Sequence, residues 1–131
     1  MKHEYPLRGC VYWYVRPNNA ESRTNTEPNS KNSSVQSLNR PWLIISNNVG
    51  NKYSPTVIGV PYTTSSSKKA LPTHIDVTTK GQHDTILIEQ VRCLDKKDLL
   101  LSPLSKLDEQ TMTKVDKGIK IALGLIPKED W

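Results

Sequence analysis

The sequence predicts a mainly β domain with one C-terminal helix, an α+β chain folded as a small barrel or strongly bent sheet. Short runs of β-branched and aromatic residues recur along it, turn-forming Asn, Gly, Pro and Ser separate them, and one late stretch has helical spacing. Its 131 residues are read as a single domain, residues 1–131, with a modest core. Only 35% of them are hydrophobic and phenylalanine is absent, so tryptophan and tyrosine must supply the large buried side chains.

Taken in order, Cys10 to Val15 (CVYWYV) reads as a strand with Val11, Trp13 and Val15 on one face and Tyr12 and Tyr14 on the other. Arg16 to Asn39 is dominated by Asn, Ser and Thr with little to bury, the composition of a long polar loop. Trp42 to Ser46 is a buried strand, NNVGNKYSP supplies turn chemistry, and Thr56 to Pro61 (TVIGVP) is the next strand. After the SSSKKALP loop come the short strand Thr73 to Val77, a turn at TKGQHD, and a strand over Thr85 to Val91. Asp108 is an N-cap, Glu109 sits in the first turn, Met112, Val115 and Ile119 repeat at helical spacing, and Gly124 marks the stop.

The net charge of +5 is uneven: Met1 to Lys80 holds ten Lys/Arg against four Asp/Glu, and Gly81 to Trp131 eight against nine. A basic first half favours an anionic partner. The apolar runs are too short to cross a bilayer, which excludes a membrane-spanning role. Cys10 and Cys93 have no clustered Cys or His at metal-ligand spacing, so no metal site is expected. The opening MKHEYPLRGC lacks the apolar core of a secretory signal, and the expectation is a cytoplasmic chain with reduced thiols.

In this order, RGCVYW, NRPWLIISN, GNKYSPTVIGVPYT, LPTHIDV, ILIEQVRCLDKKDL and LDEQTMTKVDKGIKIALGL resemble the MazF/PemK (Kid-like) toxins of toxin–antitoxin systems, the mRNA interferases. The resemblance covers nearly everything outside the Arg16 to Asn39 loop. It implies an SH3-like barrel of the CcdB/MazF/Kid type, a homodimer, and cofactor- and metal-independent cleavage of single-stranded RNA at a short sequence. It also implies a cognate acidic antitoxin as partner.

Metal-independent RNA cleavage sends the 2'-hydroxyl onto the adjacent phosphorus, giving 2',3'-cyclic phosphate and 5'-hydroxyl ends, and negative charge builds on the phosphorane oxygens. Arginine suits that charge because it stays cationic and bridges two oxygens. Arg40, held in an extended approach by the following proline, is the candidate stabiliser, and Thr63 matches the family's catalytic threonine, with Thr64 as its neighbour and competitor. Glu89-Gln90-Val91-Arg92 matches the family's EQIR motif: Gln90 either reads a base edge or is structural, and Arg92 either grips RNA or pairs with Glu89 or Asp95.

His74 matches a family histidine and reads as a hydrogen-bonded structural group. Tyr12, Tyr14, Tyr53 and Tyr62 are either stacking platforms or core, and Lys52, Lys68 and Lys69 are phosphate contacts or solubilising charges. Ser34 and Gln36 are RNA-binding candidates on the long loop. There the family's SEQGG-like motif becomes Ser34-Val35-Gln36-Ser37-Leu38, replacing its glutamate with Val35 and its glycines with Ser37 and Leu38. Arg40 and Thr63 favour an enzyme; Val35 favours the alternative, a non-catalytic module that binds an antitoxin or another protein.

Overall fold

The computed structural model describes residues 1–16, 38–64 and 70–131. It is a seven-stranded antiparallel half-barrel with a C-terminal helix, in the order β4-β5-β3-β2-β1-β7, and β6 pairs with β3 off that path. Strand β1 (Cys10–Tyr14) pairs with β2 (Pro41–Ile44), which pairs with β3 (Thr56–Thr63). One edge of β3 is covered by β2. The other is shared by β6 (Arg92–Asp95), opposite Thr56 to Gly59, and β5 (Gln82–Leu87), opposite Tyr62 and Thr63.

Alternation along these strands sorts the core into two clusters on the two faces of the sheet. Cys10, Tyr12, Tyr14, Trp42, Ile44, Val57, Leu94 and Leu99 form one. Val11, Leu43, Val60, Tyr62, Ile75, Ile86, Ile88 and Val115 form the other, covered by helix α2 (Glu109–Ala122). The Asp108 side chain caps α2 by accepting from Thr111 N at 2.8 Å, and Gly124 ends it at φ +74°, as the residue pattern predicts.

The structure corrects the sequence reading in several places. NNVGNKY folds as a short helix, α1 (Asn48–Tyr53), not as an open turn: Asn47 Oδ1 accepts from Gly50 N at 2.7 Å, and buried Asn51 bonds Ser46 through both its amide atoms. β3 runs on through Thr63, which therefore ends the strand instead of following it. Glu89 and Gln90 lie in a 3-10 turn (Ile88–Gln90), and β6 and β7 (Leu99–Lys106) are further strands that the reading did not include.

Strand β4 (His74–Thr79) and β5 form a hairpin whose turn residues, Lys80 (φ 51°) and Gly81 (φ 83°), both have positive φ, the backbone of a tight two-residue turn. It is longer than the sequence suggests and pulls Thr78, Thr79, Gln82, His83 and Asp84 into the ladder. Gly59 sits where β2, β3 and β6 crowd together; a Cβ there would lie 3.1 Å from Leu43 O and from Leu94 Cδ1.

Among the described residues no helix is long and apolar enough to cross a membrane. Both cysteines are free thiols, Cys10 buried and Cys93 exposed.

Candidate active site

Backbone hydrogen bonds define which way each β2 residue faces. Arg40 O accepts from Tyr14 N at 3.2 Å and Ile44 O from Gly9 N, so even-numbered residues bond towards β1; Ile45 N donates to Ile58 O at 2.9 Å, so odd-numbered ones bond towards β3. Pro41 is odd, and the register that sets Trp42 against Pro61 sets Pro41 against Tyr62. Proline has no N–H to give to Tyr62 O. The Arg40 side chain gives one instead: Nη1 donates to Tyr62 O at 2.9 Å.

Continued by one residue beyond Pro41, the same register brings Arg40 opposite Thr63. Arg40 shares strand parity with Trp42 and Ile44, and Thr63 with Val57, so both belong to the face of the first core cluster. Arg40 is half-buried, and burial lowers its guanidinium from the usual arginine range without approaching neutrality. Thr63 is 6% exposed. The register thus sets the residues that carry this guanidinium and this hydroxyl opposite each other at the end of a strand pair, with the guanidinium tethered by its own sheet.

The row continues. Thr63 opposes Thr85 on β5, and Thr85 opposes Asp76 on β4, with Thr85 Oγ1 donating to Asp76 Oδ1 at 3.1 Å. Neither Thr85 nor Asp76 was among the sequence-level candidates; the signal was the polar alternation in THIDV and HDTIL, readable only once the hairpin register is known.

Arg92 opposes Gly59, four residues before Thr63 and about 13 Å away along β3. By strand parity it lies on the same face. Gln90 closes the 3-10 turn that bridges β5 and β6, between Arg92 and the Thr63 row. Glu89 is paired with His74 and not with Arg92: His74 Nε2 donates to Glu89 Oε2 at 2.8 Å. Burial pushes the Glu89 carboxyl up, but hydrogen bonds led by His74 outweigh it and hold the group below the usual glutamate range. His74, with 8% of its side chain exposed, is the hydrogen-bonded histidine that the sequence suggests.

Lys52 is exposed on α1, 5.3 Å from the Tyr53 ring. It sits beyond the Thr56 end of β3, roughly 23 Å of strand from Thr63, so this chain does not bring it to Arg40. Ser34, Gln36, Lys68 and Lys69 lie outside the described residues, as do Val35 and the core of the long loop.

Tyr12, Tyr14 and Tyr62 are buried at 5% exposure or less, which removes them as stacking platforms and leaves Tyr53, at 75%. The Tyr12 hydroxyl accepts from Leu7 N at 2.9 Å, and that of Tyr14 donates to Asp98 at 3.2 Å.

Residues 21–123 match the family described as PemK-like, MazF-like toxins of type II toxin–antitoxin systems. The chain belongs to this family. It is 40% identical over 91 residues to Endoribonuclease EndoA of Bacillus subtilis (strain 168), covering 66% of this chain and 78% of that one. Over 90 residues it is 44% identical to Endoribonuclease MazF of Staphylococcus epidermidis, covering 66% and 74%.

Among solved structures, a mycobacterial endoribonuclease in complex with its cognate antitoxin superposes with a TM-score of 0.68 at 25% identity, over 93% of this chain and 98% of that one. MazF from Deinococcus radiodurans shares the fold, with a TM-score of 0.66 at 19% identity, over 93% and 99%. The mainly β architecture with one C-terminal helix is thus that of the MazF toxins.

Proposed function

We propose that this MazF-like chain is an endoribonuclease toxin that cuts single-stranded RNA, with Arg40 and Thr63 at the scissile phosphate. The 2'-oxygen forms a bond to phosphorus, the bond from phosphorus to the 5'-oxygen breaks, and the 2'-hydroxyl proton is removed as the leaving oxygen gains one. Arg40 binds the non-bridging oxygens, on which negative charge accumulates, and Thr63 donates to the same phosphoryl group or relays a proton. Family membership supports RNA cleavage. The observation that carries the residue assignment is the Arg40 guanidinium, tethered at 2.9 Å to Tyr62 O beside Thr63, because an anchored cation needs little reorganisation as charge develops.

Gln90 and Arg92 extend the surface along β3, where one can read a base edge and the other hold phosphate or guanine. Ser34, Gln36 and Lys52 remain proposed RNA contacts, the first two on the long loop. A cognate acidic antitoxin and a second copy of the chain are the proposed partners. The groove lined by Ile45, Ile58, Val91 and Leu123, about 320 Å³, offers the copy an apolar surface, since Ile58 and Leu123 are 44% and 58% exposed. We place the protein in the cytoplasm as a single domain.

The test is digestion of a mixed-sequence single-stranded RNA by the purified chain in EDTA. Discrete fragments ending in 5'-hydroxyls, lost in Arg40→Ala, are the expected result. Intact RNA together with tight binding of an acidic antitoxin peptide would transfer the protein to the non-catalytic class.

A further inference from the structure

We infer that Asp76, held by Thr85, is a base-selecting subsite beside the scissile phosphate, one that favours guanine and disfavours uracil. This deepens the RNA-cleavage reading and rests on it. Arg40, Thr63, Thr85 and Asp76 stand in one transverse row on one face of the sheet. Three strand spacings, roughly 14 Å, separate the first from the last. That span suits a phosphate at the cationic end and the base of an adjoining nucleotide at the other.

The charge of Asp76 decides what it can touch. A carboxylate repels the phosphate backbone, so a strand anchored on Arg40 approaches Asp76 with its donors, a ribose hydroxyl or a base edge, and of these only the base edge carries sequence. As a pure acceptor, it selects bases by their donors. The Watson–Crick edge of guanine offers N1–H and the N2 amino group side by side, which matches two carboxylate oxygens. Adenine and cytosine offer one amino group each. Uracil offers a single N–H between two carbonyls, which the carboxylate repels.

Asp76 is also well placed to discriminate. It is exposed, and it sits on a strand of a hairpin with six consecutive register pairs instead of on a loop. The Thr85 hydroxyl bonds Oδ1 at 3.1 Å and orients the carboxylate while leaving it acceptor capacity. Its same-face neighbours on β4 are bonded elsewhere, His74 to Glu89 at 2.8 Å and Thr78 to His83 at 3.1 Å, and Asp76 is the carboxylate that β4 itself carries on this face.

The experiment is cleavage of a randomised single-stranded RNA pool, with the ends sequenced, by wild type, Asp76→Asn, Asp76→Ala and Thr85→Val, each checked for folding by its thermal melt. Wild type is expected to deplete uracil about tenfold at one position next to the cut, within the range of a specific base contact. Both Asp76 variants lose that depletion while the profile at other positions stays, and Thr85→Val loses part of it. Identical base profiles in wild type and the folded variants would overturn the subsite.

If wild type cuts no RNA, the nuclease reading fails separately. The subsite is then read by the affinities of four short RNAs, 2'-O-methylated throughout and differing at that one base. Equal affinities overturn it, and a guanine preference lost in Asp76→Ala supports it. Should Asp76→Ala fail to fold, Thr85→Val gives the same reading.

Discussion

Arg40 Nη1 occupies the place, 2.9 Å from Tyr62 O, that a ladder N–H would fill if residue 41 were not proline. The Arg-Pro pair therefore acts as a unit. Proline vacates a hydrogen-bond position on β3, and the preceding arginine satisfies it with one arm of its fork.

Pro41→Ala restores the missing N–H, which then competes with Arg40 for the Tyr62 carbonyl. The regained ladder bond contributes about 1 kcal/mol, and the lost proline rigidity costs a similar amount, so thermal stability should stay within about 1 kcal/mol of wild type. RNA cleavage, measured in single turnover, should fall about tenfold as the guanidinium loses its tether. Unchanged cleavage would show that the tether is incidental.

Arg40→Lys keeps the charge and loses the fork. One ammonium cannot hold Tyr62 O and bridge two phosphoryl oxygens, so the variant should remain folded by circular dichroism and lose cleavage nearly as fully as Arg40→Ala. Wild-type rates in the lysine variant would reduce the arginine to a point charge.

Gly59→Ala places a methyl 3.1 Å from Leu43 O and from Leu94 Cδ1. The leucine side chain can yield, but the carbonyl is fixed by the sheet, so overpacking should cost about 1–3 kcal/mol in denaturant unfolding. A neutral effect would mean that β2 and β6 spread easily at this crossing.

Tyr12 and Tyr62 keep their protons well into alkaline solution. Burial is the main cause in both, and each is pushed up from an ordinary 10.0 to about 12. The folded state thus binds the proton more tightly than the unfolded chain. Stability from these groups is complete below pH 10 and is lost as pH rises towards 12. Spectrophotometric titration should show the two phenols ionising together with unfolding, and Tyr62→Phe should flatten that part of the stability profile. Tyr12 or Tyr62 titrating near 10 in folded protein would contradict the burial.

Legibility in the sequence followed side-chain chemistry. CVYWYV, the apolar run that begins at Trp42 and the α2 repeat were readable because their apolar spacing matches the period of their element. β7 was not, since LLLSPLSK is an edge strand that tolerates Pro103 and exposes Leu100 and Leu104. α1 was hidden because Asn and Gly cap short helices as readily as they make turns. Residue type together with family resemblance singled out Arg40 and Thr63. Their alignment with Thr85 and Asp76 depends on strand register, which no single residue encodes.

A double-mutant cycle tests most directly whether Arg40 and Thr63 serve one phosphate. Single-turnover cleavage should fall about a hundredfold in Arg40→Ala and about tenfold in Thr63→Val. The double variant should lose scarcely more than Arg40→Ala alone, because the hydroxyl has no positioned phosphoryl group left to assist. Independent losses multiplying to about a thousandfold would contradict a shared site.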